Sequence, residues 1–219
     1  MRIHDVAQRS EEWRLLRLGR LTGSRAKDAL ATIKSGEAAA RRDLRMQLCI
    51  ERLTGIPTEN GYVNADMQWG IDHEAEAIAA YEALSGALVE PIGFCEHDEW
   101  MAGTSPDGFV GDDGILSVKC PRSANHAGYL RGGVEPREHA AQNTHELWLT
   151  DRKWIDFVSF DPRMPDGLRL FVVRCTRTRD QIGAYEVNVH NFLAEVTVEE
   201  QALRTLAGMQ WRAAAEATA

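Results

Sequence analysis

A predicted hairpin in the middle of the chain could bring a carboxylate and an amine to one place. Asp107 lies at the start of its first arm, and Ser117 and Lys119 lie on the second arm, after the turn sequence Gly-Asp-Asp-Gly at residues 111–114. Because alternate residues of a strand point to the same face, Ser117 and Lys119 should face Asp107 together. A carboxylate beside an amine can bind a cation or transfer protons. The same alternation is common in any strand, so the geometry alone does not distinguish a reactive site from an ordinary hairpin.

The residues of this hairpin resemble the motif of restriction-type nucleases, in which a Pro-Asp pair is followed, after a variable gap, by Asp or Glu, any residue and Lys. Here the motif reads Pro106-Asp107 and then Ser117-Val118-Lys119. Six sequence blocks, in order, resemble those of the lambda exonuclease or YqaJ-type viral recombinase family: SEEWRLLRLGRLTGS, WGIDHEAEAIAAYE, SPDG, VKCP, AAQNTHELWLT and SFDPRM. They span about residues 10 to 166, so the similarity covers most of the chain.

The resemblance implies a magnesium-dependent site for hydrolysis of phosphodiester bonds, in which Mn²⁺ can substitute. Asp107 would be the central metal ligand and the main-chain carbonyl of Val118 a further one. Glu74, on a predicted helix, would complete the site directly or through water. Lys119 would orient or deprotonate the attacking water, or stabilise the developing negative charge. Magnesium suits such a set because it prefers oxygen ligands and stabilises charge on the phosphate and the leaving oxygen.

Ser117 departs from the family pattern, in which this catalytic, metal-binding position carries an acid, usually Glu. A hydroxyl is neutral and a poorer ligand for a divalent ion, so a weakened metal site is expected. Either the natural enzyme works with serine, with water filling in, or the chain is an engineered inactive form. The intact remainder of the signature favours the second explanation. Ser117→Glu is accordingly expected to tighten magnesium binding and to raise the cleavage rate.

A second group of residues matches positions at which the family contacts a terminal 5′-phosphate. Arg17 and Ser24 match an N-terminal arginine and serine, and Ser105 matches a further hydroxyl donor. Arginine offers a forked set of donors, and hydroxyls can bind the remaining phosphate oxygens. Without the resemblance, Arg17 would be interpreted as a solvated residue and Ser24 as part of a helix interior. Further matched substrate-binding positions are Lys34, Gln142 and Thr144, the last where relatives often have glutamine.

Other motifs that could carry chemistry are incomplete in this sequence. His145-Glu146 is not followed by the second histidine of a zinc-protease helix, and His73-Glu74 fails the same test at Ala77. The four cysteines include no C-x-x-C pair, which indicates reduced thiols and neither a zinc site nor a disulfide framework. There is no Walker loop, so ATP is not expected.

The elements that must position these residues change in type along the chain. Periodicity and capping signals predict helices over about residues 10–30, 37–53, 66–84, 123–129, 136–150 and 180–207. Short apolar runs broken by turns predict strands of one sheet within residues 87–97, 100–110, 115–121, 153–162 and 168–176. This order favours an α/β (α+β) fold with a central mixed sheet flanked by helices. With the resemblance, it predicts a single restriction-endonuclease-like nuclease domain over residues 1–219.

Charge is unevenly distributed along the chain. The net charge of −8 argues, taken alone, against a nucleic-acid partner. Residues 1–34, however, contain eight Lys or Arg and four acids, about +4, which leaves about −12 for the rest. A local basic lobe can bind DNA, although a solvated helix face explains the same pattern. No apolar run is long enough to cross a bilayer, which predicts a cytoplasmic protein without a membrane partner.

The activity implied by the resemblance is digestion of one strand of linear double-stranded DNA from a 5′-phosphorylated end. Mononucleotides would be released, and a 3′ overhang would remain for a single-strand annealing recombinase. The resemblance also implies a homotrimeric ring around DNA and a gene of phage or prophage origin in a bacterial host. The alternatives are a catalytically inactive DNA-end-binding relative, indicated by Ser117, and an endonuclease on the same fold.

Overall fold

Helices and short strands alternate in the computed structural model, which describes residues 1–58 and 64–217, with side chains described as far as residue 208. The α-helices of this part are α1 (Glu11–Arg17), α2 (Ala26–Ala29), α3 (Ala39–Thr54), α4 (Ala65–Ser85), α5 (Ser123–Gly132), α6 (Arg137–Thr150) and α7 (Arg179–Ala217). The β-strands are β1 (Arg2–His4), β2 (Leu21–Thr22), β3 (Val89–Glu90), β4 (Phe94–Glu96), β5 (Ala102–Thr104), β6 (Gly108–Val110), β7 (Gly114–Lys119), β8 (Trp154–Phe160) and β9 (Leu170–Thr176). Two 3₁₀ turns occupy Gly23–Arg25 and Asp166–Leu168.

The strands form two sheets within the described residues, so the prediction of one sheet was wrong. The central five-stranded sheet has the order β3-β6-β7-β8-β9 and is mixed, because β7 and β8 run parallel and the other neighbours antiparallel. The second sheet has the order β1-β4-β5-β2. The run at residues 100–110 is split between the two sheets as β5 and β6, with Pro106 between them. Proline has no backbone N–H to donate to a continuous strand, which accounts for the break.

The predicted N-terminal helix over residues 10–30 was also wrong, because this segment is broken after α1. Gly19 adopts a left-handed backbone with φ of +66°. Its N–H donates to the Glu51 carboxylate (2.8 Å), and its carbonyl accepts from Arg52 Nε (2.8 Å). These contacts with α3 replace the hydrogen bonds that a continuous helix would have made. The chain then turns into β2 and the 3₁₀ turn at Gly23–Arg25, which brings Ser24 out of a helix interior.

The central sheet is covered on both faces, and the two faces of β7 meet different helices. Leu116 and Val118 pack in a cluster that includes Ala77 and Tyr81 of α4. Ile115, on the opposite face, packs in the large cluster that α3, α6 and α7 share. By strand alternation, residues 117 and 119 continue the face of Ile115, towards α6. The position of α6 therefore decides what these side chains meet.

The predicted fold class is confirmed: the chain is an α/β domain with a mixed sheet flanked by helices. The predicted helices over 37–53, 66–84, 123–129 and 136–150 are present within a few residues of their expected bounds. The closing helix begins where it was expected but continues to Ala217, ten residues beyond the predicted end. Within the described ranges, none of the helices has the length and apolar composition needed to span a membrane.

Candidate active site

The hairpin of β6 and β7 brings Asp107, Val118 and Lys119 together. Gly108 pairs with Leu116, so Asp107, one residue earlier on an antiparallel arm, lies opposite Ser117. One carboxylate oxygen of Asp107 accepts a hydrogen bond from the backbone N–H of Val118 (2.6 Å). The Nζ of Lys119 lies 3.8 Å from the same oxygen and donates to the carbonyl of Val118 (3.0 Å). A carboxylate, a carbonyl oxygen and an amine thus converge at the end of β7.

Glu74 approaches this group from α4, where it pairs with Arg9 at 3.2 Å. Burial raises the pKa of Glu74, the nearby carboxylate of Asp107 raises it further, and Arg9 opposes both effects. Two carboxylates this close repel each other when both are charged, and a bound cation would relieve that repulsion. Sequence reasoning missed Arg9. Its left-handed backbone, with φ of 72°, is uncommon for a residue other than glycine and is often found at functional sites.

An open cleft of about 640 Å³ connects these side chains to solvent. Its walls include the side chains of Arg9, Ser24, Asp66, Glu74, Asp107, Val118, Lys119, Tyr129, Glu138, His139 and Gln142. Burial lowers the pKa of His139 to about 4, so its imidazole is neutral near pH 7. Among the described residues, no three or more acidic, His or Cys side chains are grouped to hold a metal by themselves. The oxygen donors of Asp107, Glu74 and the Val118 carbonyl nevertheless fit magnesium, which commonly keeps several waters.

Ser117 is buried and is not among the residues that line the cleft. Its side chain is 1% exposed, and its hydroxyl has no hydrogen-bond partner among the described residues. Buried hydroxyls are usually satisfied. Its neighbour in register on β8 is Phe157, whose ring stacks on His139 of α6 with ring centroids 5.2 Å apart. The serine therefore lies on the face of the sheet that α6 covers.

Glu146 of α6 is a buried acid that the sequence analysis considered only as part of an incomplete zinc motif. It is 1% exposed; one carboxylate oxygen accepts from Gln142 Nε2 (2.9 Å), and the other has no partner among the described residues. Burial raises the pKa of Glu146 to about 7. Lys119 and the hydrogen bond from Gln142 act to lower this pKa, and the charge of Asp107 acts to raise it. A weak sequence signal was present, because Glu146 directly precedes the apolar run Leu147, Trp148 and Leu149. Fully buried acids are uncommon unless they have a partner.

A smaller pocket of about 190 Å³ adjoins the cleft, and Arg9, Ser24 and Gln142 line both. Its walls contain the cations of Arg9 and Arg17, the hydroxyls of Ser24, Thr104 and Ser105, the amides of Gln8 and Gln142, and Trp13. This combination of cationic, hydroxyl and amide donors is suited to an anion such as a phosphate.

Trp13 organises one wall of this pocket, and the sequence had not singled it out as a site residue. Its indole N–H donates to the hydroxyl of Ser105 (2.7 Å). The guanidinium of Arg17 lies over its ring, 4.2 Å from the ring centroid, and also donates to Thr22 Oγ1 (3.5 Å). Ser105 and Arg17, which come from distant parts of the sequence, are thus held beside each other by one aromatic side chain.

Lys34 and Thr144 line neither the cleft nor the smaller pocket. Lys34 is exposed in the connection between α2 and α3. The hydroxyl of Thr144 donates to the Ala140 carbonyl (2.7 Å) and accepts from Arg177 Nε (2.8 Å). The other predicted site residues line one or both cavities, except Ser117, which is buried and precedes Val118 and Lys119 of the cleft.

Comparisons with known proteins agree with this arrangement. The family model described as the YqaJ-like viral recombinase domain matches residues 12–153. An alkaline exonuclease (LHK-Exo) from Laribacter hongkongensis has a similar structure, with 35% sequence identity and a TM-score of 0.83, covering 92% of this chain and 100% of that chain. Its complex with dAMP matches at the same identity and coverage, with a TM-score of 0.84.

A more distant structure shares the fold. It is a phage-related exonuclease from Haemophilus somnus 129PT, with 16% identity and a TM-score of 0.63, covering 85% of this chain and 96% of that chain. None of the curated proteins compared matches the chain. The match of the family model over more than half of the residues confirms the resemblance: this chain belongs to the YqaJ-like viral recombinase family.

Proposed function

We propose that this protein is a magnesium-dependent exonuclease that digests one strand of linear double-stranded DNA in the 5′-to-3′ direction. The observation that carries the proposal is that two adjoining cavities share Arg9, Ser24 and Gln142. One cavity contains carboxylate and carbonyl oxygens and a lysine, and the other contains cationic, hydroxyl and amide donors. A terminal phosphate held in the smaller pocket would leave the following phosphodiester bond in the cleft. The resemblance to an alkaline exonuclease at 35% identity supports a nuclease function.

The residues have separate tasks in this proposal. Arg17, Ser24 and Ser105 hold the 5′-phosphate and so fix which bond enters the cleft. Asp107, Glu74 and the carbonyl of Val118 hold the metal, and Mg²⁺ or Mn²⁺, when bound, supplies positive charge to the phosphate and the leaving oxygen. Lys119 orients the attacking water or stabilises the negative charge that develops. Release of one mononucleotide exposes a new 5′-phosphate for the same pocket.

Digestion of labelled DNA tests this proposal. In the presence of Mg²⁺, the protein should release mononucleotides from a linear duplex with 5′-phosphates, leave 3′ single strands, and spare closed circular DNA. Chelation should stop the reaction, and Mn²⁺ should restore it. Asp107→Asn, purified in the same way, controls for contaminating nucleases. Cleavage of the circle would indicate an endonuclease instead.

A DNA-end-binding protein without catalysis is the second candidate, and Ser117 is the observation that favours it. In this case the protein should bind 5′-phosphorylated duplex ends but release no nucleotides with either metal. Binding measured by fluorescence anisotropy, in parallel with digestion, separates the two candidates.

The proposed product also suggests partners. A 3′ overhang is the substrate of a single-strand annealing recombinase, so we expect the protein to act together with one. The family resemblance further suggests a homotrimeric ring, in which the DNA passes through the centre.

A further inference from the structure

Two buried polar atoms, one on β7 and one on α6, have no hydrogen-bond partner among the described residues. One is the Ser117 hydroxyl, and the other is the second carboxylate oxygen of Glu146. Ser117 lies between Ile115 and Lys119 on the face of β7 that turns towards α6, and Ile115 packs in the same cluster as Leu147, which follows Glu146. Both residues are 1% exposed. The serine that replaces an acid thus lies on the face of β7 that turns towards α6, the helix that carries the unexpected acid.

The surroundings of Glu146 connect it to the metal-binding end of the cleft. Both Lys119 and Asp107 are close enough to act electrostatically on its carboxylate. Gln142, which bonds its first oxygen, lines both the cleft and the smaller pocket. The second oxygen of Glu146 has no bond that would account for its burial. A buried carboxylate is costly unless a cation or hydrogen-bond donors compensate it.

We propose that Glu146 of α6 supplies the metal-binding carboxylate that Ser117 cannot supply from β7. This inference rests on the proposed nuclease function, because it assigns a further ligand to the same metal. Serine is short and neutral, and a glutamate on the helix side would supply the charge and the oxygen ligand that position 117 lacks. Ser117 is then a working residue of an active enzyme, and the acid has moved from the strand to the helix.

A ligand role for Glu146 reverses the expected effect of Ser117→Glu. If position 117 simply lacks its acid, Ser117→Glu should improve the enzyme as it stands. If Glu146 already provides that acid, Ser117→Glu adds a second carboxylate facing it, and like charges in a buried site disfavour each other. The gain from Ser117→Glu should then appear only when Glu146 has been replaced by glutamine.

Metal affinity of four proteins tests this reversal without relying on catalysis. Binding of Mn²⁺ is measured by electron paramagnetic resonance for the unaltered chain, Glu146→Gln, Ser117→Glu and the double variant. Glu146→Gln should weaken Mn²⁺ binding by roughly 10-fold or more. Loss of a group that only hydrogen-bonds to a metal ligand already costs about 10-fold or more in metal affinity, so loss of a ligand should cost at least as much. The double variant should recover most of that loss, and Ser117→Glu alone should not bind more tightly than the unaltered chain.

Asp156→Asn is the matched control. Asp156 is also a buried acid of the central sheet, but it bonds Tyr81 and Arg174 and lies on the face covered by α4. This variant should lower the melting temperature and leave Mn²⁺ affinity unchanged, which separates loss of a ligand from loss of a buried carboxylate in general.

Crystals of the unaltered chain soaked in Mn²⁺ provide a test that no folding defect can affect. An anomalous peak in direct contact with carboxylate oxygens of Asp107 and Glu146 supports the proposal. A peak without Glu146 among its ligands overturns it, as does unchanged Mn²⁺ affinity in Glu146→Gln. The nuclease proposal fails separately, if a chain that binds Mn²⁺ through Glu146 releases no nucleotides from linear duplex.

Discussion

Lys119 is the residue whose surroundings most directly suggest a chemical role. Its amine donates to the Val118 carbonyl and lies 3.8 Å from the Asp107 carboxylate, with a quarter of its side chain exposed to the cleft. A strand lysine with a purely solvating role would extend away from the sheet. Here the amine stays beside the Val118 carbonyl and the Asp107 carboxylate, the oxygens proposed to bind the metal, where it could act on a water or on a bound phosphate.

Lys119→Met should abolish most of the activity and leave the metal in place. Removing a positioned acid or base typically costs 10²- to 10⁴-fold in rate. Ammonium groups are not ligands for magnesium, so Mn²⁺ affinity should stay within about threefold of the unaltered value. Nucleotide release and Mn²⁺ binding are measured on the same preparations. Lys153→Met is the control, because Lys153 pairs with Asp113 at the other end of the hairpin. A variant that loses metal together with activity would contradict this role.

Arg17→Ala should remove the preference for 5′-phosphorylated ends. The loss of a charge-assisted contact typically costs about 1.5 to 3 kcal/mol, which corresponds to roughly 10- to 150-fold in affinity. Competition between 5′-phosphate and 5′-hydroxyl duplexes measures the effect. Arg14→Ala, on the same helix but outside the smaller pocket, should keep the preference. Equal handling of both ends by the unaltered protein would rule out the phosphate pocket.

The connections at the ends of the central strands fix the cleft in place. After β8, the buried carboxylate of Asp161 accepts from the backbone N–H and the guanidinium of Arg163 (3.0 and 2.7 Å). The same guanidinium donates to the Pro121 carbonyl after β7 and lies over the ring of Trp69 on α4, 4.2 Å from its centroid. Arg163 thus ties the end of β8 to the two elements that carry Lys119 and Glu74. The block SFDPRM, which contains Asp161 and Arg163, thus helps to hold the elements of the nuclease motif in place.

Asp161→Asn should destabilise the protein at neutral pH and by roughly half as much at pH 3. Burial alone would raise the pKa of Asp161, but the hydrogen bonds from Arg163 and Ser123 prevail and lower it from 3.8 to about 2. A lowered pKa means that the carboxylate stabilises the fold above about pH 4, and that this contribution is lost as the pH falls through 2. The expected loss at pH 7 is on the order of 2 kcal/mol in the free energy of unfolding.

Urea unfolding at pH 7 and pH 3 measures this difference. Asp166→Asn, which removes an exposed acid from the same connection, should have little effect at either pH. If the cost of Asp161→Asn were the same at both pH values, the lowered pKa would be wrong.

Across the whole molecule, the basic N-terminal segment is partly neutralised by its own fold. Arg2 and Arg20 pair with Glu96, and Arg25 pairs with Asp28. Arg9, which pairs with Glu74, and Arg17 line the smaller pocket. An acidic protein can therefore present positive charge to DNA at one place, because the segment that carries the excess of cations also lines the candidate substrate site.

The assembled protein should be a trimer in solution. Light scattering coupled to size exclusion should give about three times the chain mass of 24.4 kDa. A ring around DNA is held by topology as well as by contacts, so single molecules should digest long stretches before they dissociate. A monomer at working concentration would contradict the ring and leave the chemistry of the cleft unaffected.

The sequence by itself determined the family, the fold class and the hairpin that carries Asp107 and Lys119. These depend on local order: a turn between two short strands, alternation along β7, and blocks in a fixed succession. Tertiary structure decided the rest. Long-range contacts with α3 broke the predicted N-terminal helix at Gly19, and pairing with β1 and β2 drew β4 and β5 into a second sheet. Arg9 reaches the cleft from a distant segment, and Glu146 is linked to it through Gln142. Proximity of residues remote in sequence depends on packing, so no local pattern could show that these side chains come close to the hairpin.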